Sequence, residues 1–423
     1  MNTLKNYISE FIKRAGSYVF AATVISRILS FLASWIALQL IPSKPLGNVL
    51  FAWNFVVFLI PLVGFGLHQS YIRYGALSKT EEEKLKLLKY VVHKGTISSI
   101  VLTIIVSVLA YLYNFETSEV KFYLYILSLV FVPAFLFEVI KVRVRLEHKN
   151  KKLAFLEVIY NLILIVSVFV LSYYWNTTGY AISFVITPLL TILIFYRLLL
   201  TPNKNETKLE YINWEFWKYG IFGGLSNVVT LLLFALDIIL IGSILNNAEM
   251  VTIYRYISLI PLSLLFLPRV FINTDFVAFT EKIKDVQYIK TYAKGYLTLF
   301  TAVSASICIF FYAFGTYILQ LFDPTFTTYT DSLMILTFGI CGILILRGLY
   351  GNLLSSLGQV KMNFYITSIA IFINYIANLT LIPELGIKGA AVTSACLMWL
   401  TGLASAVAFY LLYKKYLLSL KES

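Results

Sequence analysis

The chain has 423 residues, of which 59% are hydrophobic and 13% are charged, and its mean hydropathy is +0.82. A soluble globular domain has about 25% charged residues, so this composition excludes that class and predicts a polytopic membrane protein. The formal net charge of +13 does not predict nucleic-acid binding, because most of the 34 Lys and Arg residues lie in alternate loops between apolar segments.

The cysteines and the N-terminal segment give no metal or processing signal. Cys308, Cys341 and Cys396 lie inside apolar runs without C-x-x-C spacing, which indicates small core residues. The first apolar run, residues 17–40, exceeds the roughly 7–15 residues of a signal-peptide core and ends without an A-x-A-like site. We therefore expect it to be the first membrane helix.

Apolar segments long enough to cross a bilayer, which requires about 20 residues, recur along the whole chain. The sequence predicts twelve of them, at residues 17–40, 47–72, 90–113, 122–141, 154–174, 179–200, 218–244, 250–273, 295–320, 331–356, 363–382 and 389–413. The expected fold is an all-α polytopic membrane protein with twelve transmembrane helices.

Positive charge alternates between the loops that connect these spans. The loops after spans 2, 4, 6 and 8 are basic, as are both chain ends, whereas the odd-numbered loops contain only Lys44, Lys121 and Lys388. Because cytoplasmic loops are enriched in Lys and Arg, both termini are predicted to be cytoplasmic, in the inner membrane of the cell.

The two halves of the chain echo each other. Spans 1 and 2 align with spans 7 and 8 at an offset of about 204, and "GYAI" from Gly179 matches "GAAV" from Gly389, where 389 − 179 = 210. We expect two pseudo-symmetric six-helix lobes, residues 1–205 and 206–423, around a central cavity. In transporters with such parallel repeats, the substrate site lies near the bilayer midplane.

The first span carries one charged residue among apolar neighbours, Arg27. A guanidinium at this depth costs at least about 2.5–3.5 kcal/mol on insertion scales. One stripe of the helix carries Thr23, Arg27, Ser30 and Ser34, which occupy positions i, i+4, i+7 and i+11. The span therefore has one polar face, which predicts that Arg27 points to an aqueous or ligand-filled space.

The second half adds Asp237 in span 7, Arg255 in span 8 and Arg347 in span 10. An intramembrane carboxylate points inward by default. Two alternatives stay open for Asp237: it forms an ion pair with Arg255 that locks two neighbouring helices, or it is a coupling group that carries a proton.

Three further polar residues lie near the predicted cytoplasmic ends of their spans. His68 and Arg73 belong to "GFGLHQSYIRY" at the end of span 2, and Arg269 lies in span 8. We expect them to contact headgroups or to form a cytoplasmic gate. For Arg73 and Arg269, side chains that simply extend to the lipid headgroups are an alternative.

Arginines inside the spans outnumber the clear anionic group, and an unpaired cation in hydrocarbon needs water, an anionic ligand or both. Arginine suits phosphate, because its planar fork binds oxyanions bidentately. The sequence therefore predicts a hydrated cationic cavity that binds an anion, with these candidate residues: Arg27, Arg255, Arg347, Ser30 and Ser34.

Motifs of enzyme chemistry are missing from the sequence. It contains no G-x-x-x-x-G-K-[ST], H-E-x-x-H or G-x-S-x-G, and its three histidines do not cluster. We expect no enzymatic activity, no cofactor and no metal site.

Four short motifs resemble those of the polysaccharide exporter and O-antigen flippase family. This family belongs to the multidrug/oligosaccharidyl-lipid/polysaccharide exporter (MOP) superfamily. The motifs are "GFGLHQSYIRY" from Gly64, "DIILIG" from Asp237, "LGQVK" from Leu357 and "IPELGIKGAA" from Ile382. The resemblance extends over the whole chain, including the number and orientation of the spans.

The resemblance implies alternating access by two lobes. It also implies a substrate in which an oligosaccharide, such as an O-antigen or capsule unit, is attached to an isoprenoid pyrophosphate. The implied partners are this anionic lipid, the bilayer and other polysaccharide assembly proteins. Three alternatives remain. A multidrug or ion antiporter of the same superfamily would favour an acidic cavity, and a membrane glycosyltransferase or polymerase usually has a large outer loop. The third is a teichoic acid or capsule exporter of the same family, which the sequence does not separate from an O-antigen exporter.

Overall fold

The structure, a computed structural model, describes residues 9, 16–112, 118–200, 212–245, 248–322 and 324–422. The described residues form helices and connecting turns and contain no strand. This agrees with the predicted all-α class, because a helix satisfies all its backbone hydrogen bonds within one segment of a bilayer. The chain divides into two compact units, one comprising Arg14–Val228 and the other containing Val229–Ser423. The lobe boundary at 205/206 stays a prediction.

The described residues of the first unit form seven α-helices and the start of an eighth. They are α1 Gly16–Leu40, α2 Ser43–Leu59, α3 Leu67–Leu77, α4 Glu81–Leu112, α5 Ser118–Ser128, α6 Phe131–Leu146 and α7 Asn150–Phe195. Helix α1 packs along α7, and α6 packs against α3, α4 and α7. Apolar residues of α6 and α7 form a buried cluster that includes Ile140, Val144 and Leu156.

In the second unit, the described residues form the rest of α8, Trp214–Leu245, and seven further α-helices. They are α9 Ala248–Ser263, α10 Phe266–Glu281, α11 Val286–Phe322, α12 Thr330–Gly342, α13 Gly348–Ser356, α14 Val360–Leu385 and α15 Ile387–Glu422. Helix α15 packs against α12, α13 and α14. The buried apolar core of this unit includes Ile241, Ile257 and Leu333.

Within the described residues, eleven helical segments are long and apolar enough to cross a membrane. One of them, Asn150–Leu198, has 49 residues, about 74 Å at 1.5 Å per residue and twice what one crossing needs. It contains both the fifth and the sixth predicted spans, and its backbone leaves helical geometry at Trp175 and Asn176. The eleven segments therefore accommodate the twelve predicted spans.

The echo at an offset of 210 is visible in the backbone. Asn176 has φ 47° and ψ −127°, and Gly386, which is 210 residues later, has φ 59° and ψ −140°. A Cβ on Gly179 would meet the carbonyl oxygen of Leu171, and a Cβ on Gly389 would meet that of Leu381. Gly179 and Gly389 are 210 residues apart, and so are Leu171 and Leu381. The long helical hairpins, one in each unit, therefore bend in the same way.

The second span is broken between α2 and α3. Residues Ile60–Gly66 connect the two helices and leave helical geometry: Val63 is extended, with ψ 138°, and Gly64, Phe65 and Gly66 all have positive φ. The Gly64 amide, which the break removes from the helical ladder, donates to Ser99 Oγ at 2.9 Å. Gly66 lies so close to the Gly220 carbonyl of α8 that a Cβ on Gly66 would approach it to 2.0 Å.

We predict that Gly66→Ala destabilises the protein, because the new methyl group would clash with backbone and the residue has φ +73°. Strain and overpacking of this kind each cost about 1–3 kcal/mol. The matched control is Gly315→Ala, since a Cβ there meets its nearest neighbour at 3.4 Å. Thermal unfolding of the purified variants in detergent tests this, and equal stability of the two variants would contradict it.

Candidate functional site

Arg27 is exposed on α1 and forms no hydrogen bond or ion pair with the described part of the chain. The hydroxyls of its stripe bond within the helix: Thr23 Oγ1 donates to the Val19 carbonyl at 2.8 Å, and Ser34 Oγ donates to the Ser30 carbonyl at 3.1 Å. Each of these two hydroxyls donates its proton within its own helix, and its oxygen can still accept a further hydrogen bond. The guanidinium is thus the strongest polar feature of the stripe.

Asp237 lies at the centre of a buried polar cluster in the second unit. Its side chain is 3% exposed. Asn374 Nδ2 and Asn378 Nδ2 each donate to Oδ1 at 2.9 Å. Tyr254 donates its hydroxyl to Oδ2 at 2.8 Å, and Ser394 Oγ donates to the same oxygen. Four neutral donors from α9, α14 and α15 therefore surround one carboxylate.

The alternative in which Asp237 pairs with Arg255 is wrong. Arg255 is exposed and forms no ion pair with the described residues. The reason is the rotation of about 100° between successive helical residues, since it is Tyr254 of α9 that faces the carboxylate. Arg255 thus remains a cation without a carboxylate partner in this part of the chain.

Sequence reasoning missed the partners of Asp237. Asn374 and Asn378 lie in the apolar run "IFINYIANLTL" at the spacing i, i+4, which places both amides on one face of α14. An amide inside a membrane helix usually bonds to a neighbouring helix. That spacing was a signal for a polar cluster, although it could not identify Asp237 as the acceptor.

Arg347 ends a short π-helical turn, Ile343–Arg347, between α12 and α13. Its guanidinium donates from Nη1 to Ser405 Oγ at 2.5 Å and from Nη2 to Thr367 Oγ1 at 2.9 Å. Nη2 also approaches the Asn363 carbonyl, at 3.5 Å. All three acceptors are neutral, and no carboxylate of the described chain pairs with this half-buried cation. π-turns inside helices often mark functional sites.

A charge network in the first unit joins α6 and α7. Lys141 Nζ lies 2.6 Å from Glu138 Oε1 and 3.5 Å from Glu157 Oε1. The sequence assigned Lys141, Arg143 and Arg145 to the loop after span 4, but α6 continues to Leu146 and carries all three. The fourth span is longer than predicted because Lys141 pairs with Glu138 at 2.6 Å and Arg143 donates to the Leu198 carbonyl at 2.5 Å.

The three residues predicted at a cytoplasmic gate lie in different surroundings. His68 is buried, 6% exposed, with Nε2 3.0 Å from Gln69 Nε2. The Arg73 guanidinium lies over the rings of Tyr74 and Tyr219, with its central carbon 5.0 and 5.3 Å from their centroids. Arg269 is exposed. His68 therefore belongs to the interior of the first unit, while the gate role of all three stays a prediction.

Among the described residues, no group of three or more His, Cys, Asp or Glu side chains has the geometry of a metal site. The Sγ atoms of Cys308 and Cys341 lie 3.6 Å apart without a disulfide, and Cys396 is exposed.

Comparison with known proteins gives a family and a fold. The family model described as "Polysaccharide biosynthesis protein" matches residues 12–274. The Vibrio cholerae MATE transporter VcmN in its bent form has a similar structure, with a TM-score of 0.76, 14% identity, and coverage of 98% of this chain and 99% of that one. A MOP superfamily transporter from Pyrococcus furiosus, whose binding pocket is described as having reverse polarity, also has a similar structure. The TM-score is 0.73, the identity is 13%, and the match covers 97% of this chain and 96% of that one. No curated protein matches the chain.

We predict that Asp237→Asn destabilises the protein by about 1–3 kcal/mol, because the new amide donates toward groups that are themselves donors. Asp331→Asn is the matched control: it removes a carboxylate that is 75% exposed and lies 2.8 Å from Lys388. An exposed ion pair of this kind contributes at most about 1 kcal/mol. Thermal unfolding in detergent should rank Asp237→Asn well below the control, and equal melting temperatures would refute the prediction.

Proposed function

Because the chain belongs to the polysaccharide biosynthesis protein family, we propose that it moves an anionic, lipid-linked oligosaccharide across the bilayer. This proposal rests on the intramembrane arginines, which have no carboxylate partner among the described residues. Arg27, Arg255 and Arg347 form no ion pair with any carboxylate of the described chain. The Asp237 carboxylate, which is the predicted counter-charge, is instead bound by four neutral donors.

Such cations have a clear ligand preference. Desolvating a guanidinium without a counter-charge costs several kcal/mol, so the site favours any anion that displaces water from it. A pyrophosphate offers several charged oxygens, and arginine binds phosphate oxygens through parallel hydrogen bonds. The linker between an isoprenoid carrier and its oligosaccharide is therefore the part of the substrate that these arginines recognise.

The transport cycle follows from this preference. The carrier enters from the cytoplasmic leaflet, and its pyrophosphate binds Arg27 together with Ser30 and Ser34 in the first unit. Arg255 and Arg347 are the candidate anion-binding residues of the second unit. Alternating access then releases the carrier to the outer leaflet. With both termini cytoplasmic, a negative-inside membrane potential favours this direction by about 2.3 kcal/mol per charge per 100 mV. The chain acts as a transporter and not as an enzyme.

Asp237 is the candidate coupling group. Its four partners all donate to it, so a proton on the carboxylate would turn one acceptor into a donor and displace a partner. Because two of the partners lie on α14 and one lies on α15, proton binding changes the packing of these helices. This is the link by which a proton gradient would drive the cycle.

A multidrug antiporter is the second candidate function, since solved structures of similar fold include MATE transporters. Such a protein would carry cations, which the unpaired arginines repel. Transport of an organic cation such as ethidium by reconstituted protein, without transport of an anionic polyprenyl lipid, would favour this second candidate.

We predict that Arg27→Glu abolishes transport and that Arg27→Ala lowers it about tenfold or more, because hydrogen bonds to charged groups contribute about 1.5–3 kcal/mol each. Arg27→Lys should keep part of the activity, since the charge remains while the planar fork is lost. The assay is flipping of a fluorescent lipid-linked oligosaccharide in proteoliposomes.

The matched control is Arg197→Gln, which removes an exposed arginine just beyond the end of α7. Normal transport by both Arg27→Ala and Arg27→Glu, at normal protein levels, would remove Arg27 from the proposed site.

A further inference from the structure

The connection between α6 and α7 and the connection between α13 and α14 have the same backbone structure. His148 has φ 53° and Gly358 has φ 88°, and both belong to the left-handed region. The Lys149 amide donates to the Val144 carbonyl at 3.0 Å, and the Gln359 amide donates to the Leu354 carbonyl at 2.8 Å. His148 and Gly358 are 210 residues apart, and so are Lys149 and Gln359, and Val144 and Leu354. Residues at this offset therefore occupy equivalent positions in their own units.

In the first unit, this position holds a neutralised cation. The Lys141 ammonium group lies between the carboxylates of Glu138 and Glu157, at 2.6 and 3.5 Å. Lys141 and Glu138 come from α6, and Glu157 comes from the following helix, α7. Two carboxylates thus compensate the positive charge within the protein.

In the second unit, the counterparts of these three residues carry no charge. At the offset of 210 they are Gly348 for Glu138, Gly351 for Lys141 and Thr367 for Glu157. A Cβ on Gly348 would lie 2.8 Å from the Tyr296 hydroxyl and 3.0 Å from Pro268 Cβ, so this position has no room for a carboxylate side chain.

A cation nevertheless lies there. It belongs to Arg347, which precedes Gly351 by one helical turn. Arg347 passes over Gly351, whose absent side chain leaves the space: an added Cβ would lie 3.8 Å from both Cδ and Nε of Arg347. The guanidinium then reaches Thr367 Oγ1, at the position where Lys141 meets Glu157 in the first unit. The second unit therefore places a cation here without either of the two carboxylates.

We propose that Arg347, held in place by Thr367 and Ser405, forms an oxyanion site for a phosphate group. Thr367 donates its own proton to the Asn363 carbonyl at 2.8 Å, and Ser405 donates to the Thr401 carbonyl at 2.7 Å. Both hydroxyls are thereby fixed as acceptors that orient the guanidinium. Nε of Arg347 forms no hydrogen bond to the described chain, so this N–H remains for a ligand.

A second feature of the site also points to a ligand. Asn363 is 4% exposed, and its Oδ1 is buried without a hydrogen-bond partner among the described residues. Its Nδ2 donates to the Gly351 carbonyl at 2.7 Å and to Ser355 Oγ at 3.0 Å, which fixes Oδ1 as an acceptor. Oδ1 would lie 3.4 Å from a Cβ on Gly351, beside Arg347. A phosphate group offers the charged oxygens that bind Arg347, and a neighbouring hydroxyl, on the phosphate itself or on an attached sugar, offers the donor that Asn363 Oδ1 lacks.

The phosphate has two sources, a free ion or the pyrophosphate headgroup of a lipid. The headgroup assignment rests on the proposed function, whereas the site itself does not. The experiment therefore uses inorganic pyrophosphate and geranyl pyrophosphate as separate probes, with sodium chloride at matched ionic strength as the reference. Binding is measured on the full chain in detergent, by thermal shift and by calorimetry.

Three variants define the site. Arg347→Gln removes the cation. Thr367→Asp places a carboxylate at the position equivalent to Glu157, so it should neutralise Arg347 from within and exclude the ligand while keeping the protein folded. Arg197→Gln is the control for the loss of one exposed arginine. We expect Arg347→Gln and Thr367→Asp to weaken binding about tenfold or more, as loss of charged hydrogen bonds does. The control should stay within about twofold of the unmodified chain.

Binding of inorganic pyrophosphate that depends on Arg347 supports the site. This result would hold even if the chain moved no lipid-linked sugar, because the site does not depend on the proposed function. Binding of geranyl pyrophosphate alone supports the lipid headgroup as the source. Wild-type affinity in Arg347→Gln overturns the site, as does an unmodified chain that binds neither probe above the salt reference.

Discussion

A guanidinium placed inside a bilayer without a carboxylate beside it is the constraint on which this molecule depends. Removing such a cation from water costs several kcal/mol, and a protein that needs only stability pairs it or replaces it. The first unit does pair its cation, since Glu138 and Glu157 flank Lys141. Among the described residues, the second unit surrounds Arg347 with hydroxyl and carbonyl oxygens only. On this contrast rests the proposal that Arg347 binds a ligand.

Helix α14 connects this cation to the buried carboxylate. Asn363, Thr367, Asn374 and Asn378 recur along α14 at i, i+4, i+11 and i+15, so they share one face, and each is buried. The first two belong to the Arg347 site and the last two donate to Asp237. Thr367 and Asn374 are about 10 Å apart along the helix axis. A shift of α14 would therefore change both sites together, which is what coupling of an anion to a proton requires.

The sequence predicted most of the fold and only part of the site. Hydropathy and loop charge identified the spans, because length and polarity are nearly sufficient in a bilayer. Arg347 and Asp237 stood out because a charge in an apolar run is costly. Their partners did not: Asn374, Thr367 and Ser405 lie in other helices, and only the packing brings them together. The pairing of Asp237 with Arg255, one of the two alternatives, failed because proximity along the span does not fix the rotation of each helix.

The central claim is that uncompensated intramembrane arginines select an anionic substrate. The most direct measurement compares flipping rates, in proteoliposomes containing the purified chain, for two fluorescent polyprenyl lipids. One lipid links its oligosaccharide through pyrophosphate, and the other links the same oligosaccharide through a neutral glycosidic bond. The account predicts rapid movement of the pyrophosphate lipid and background movement of the neutral one. Equal rates for the two lipids would contradict it.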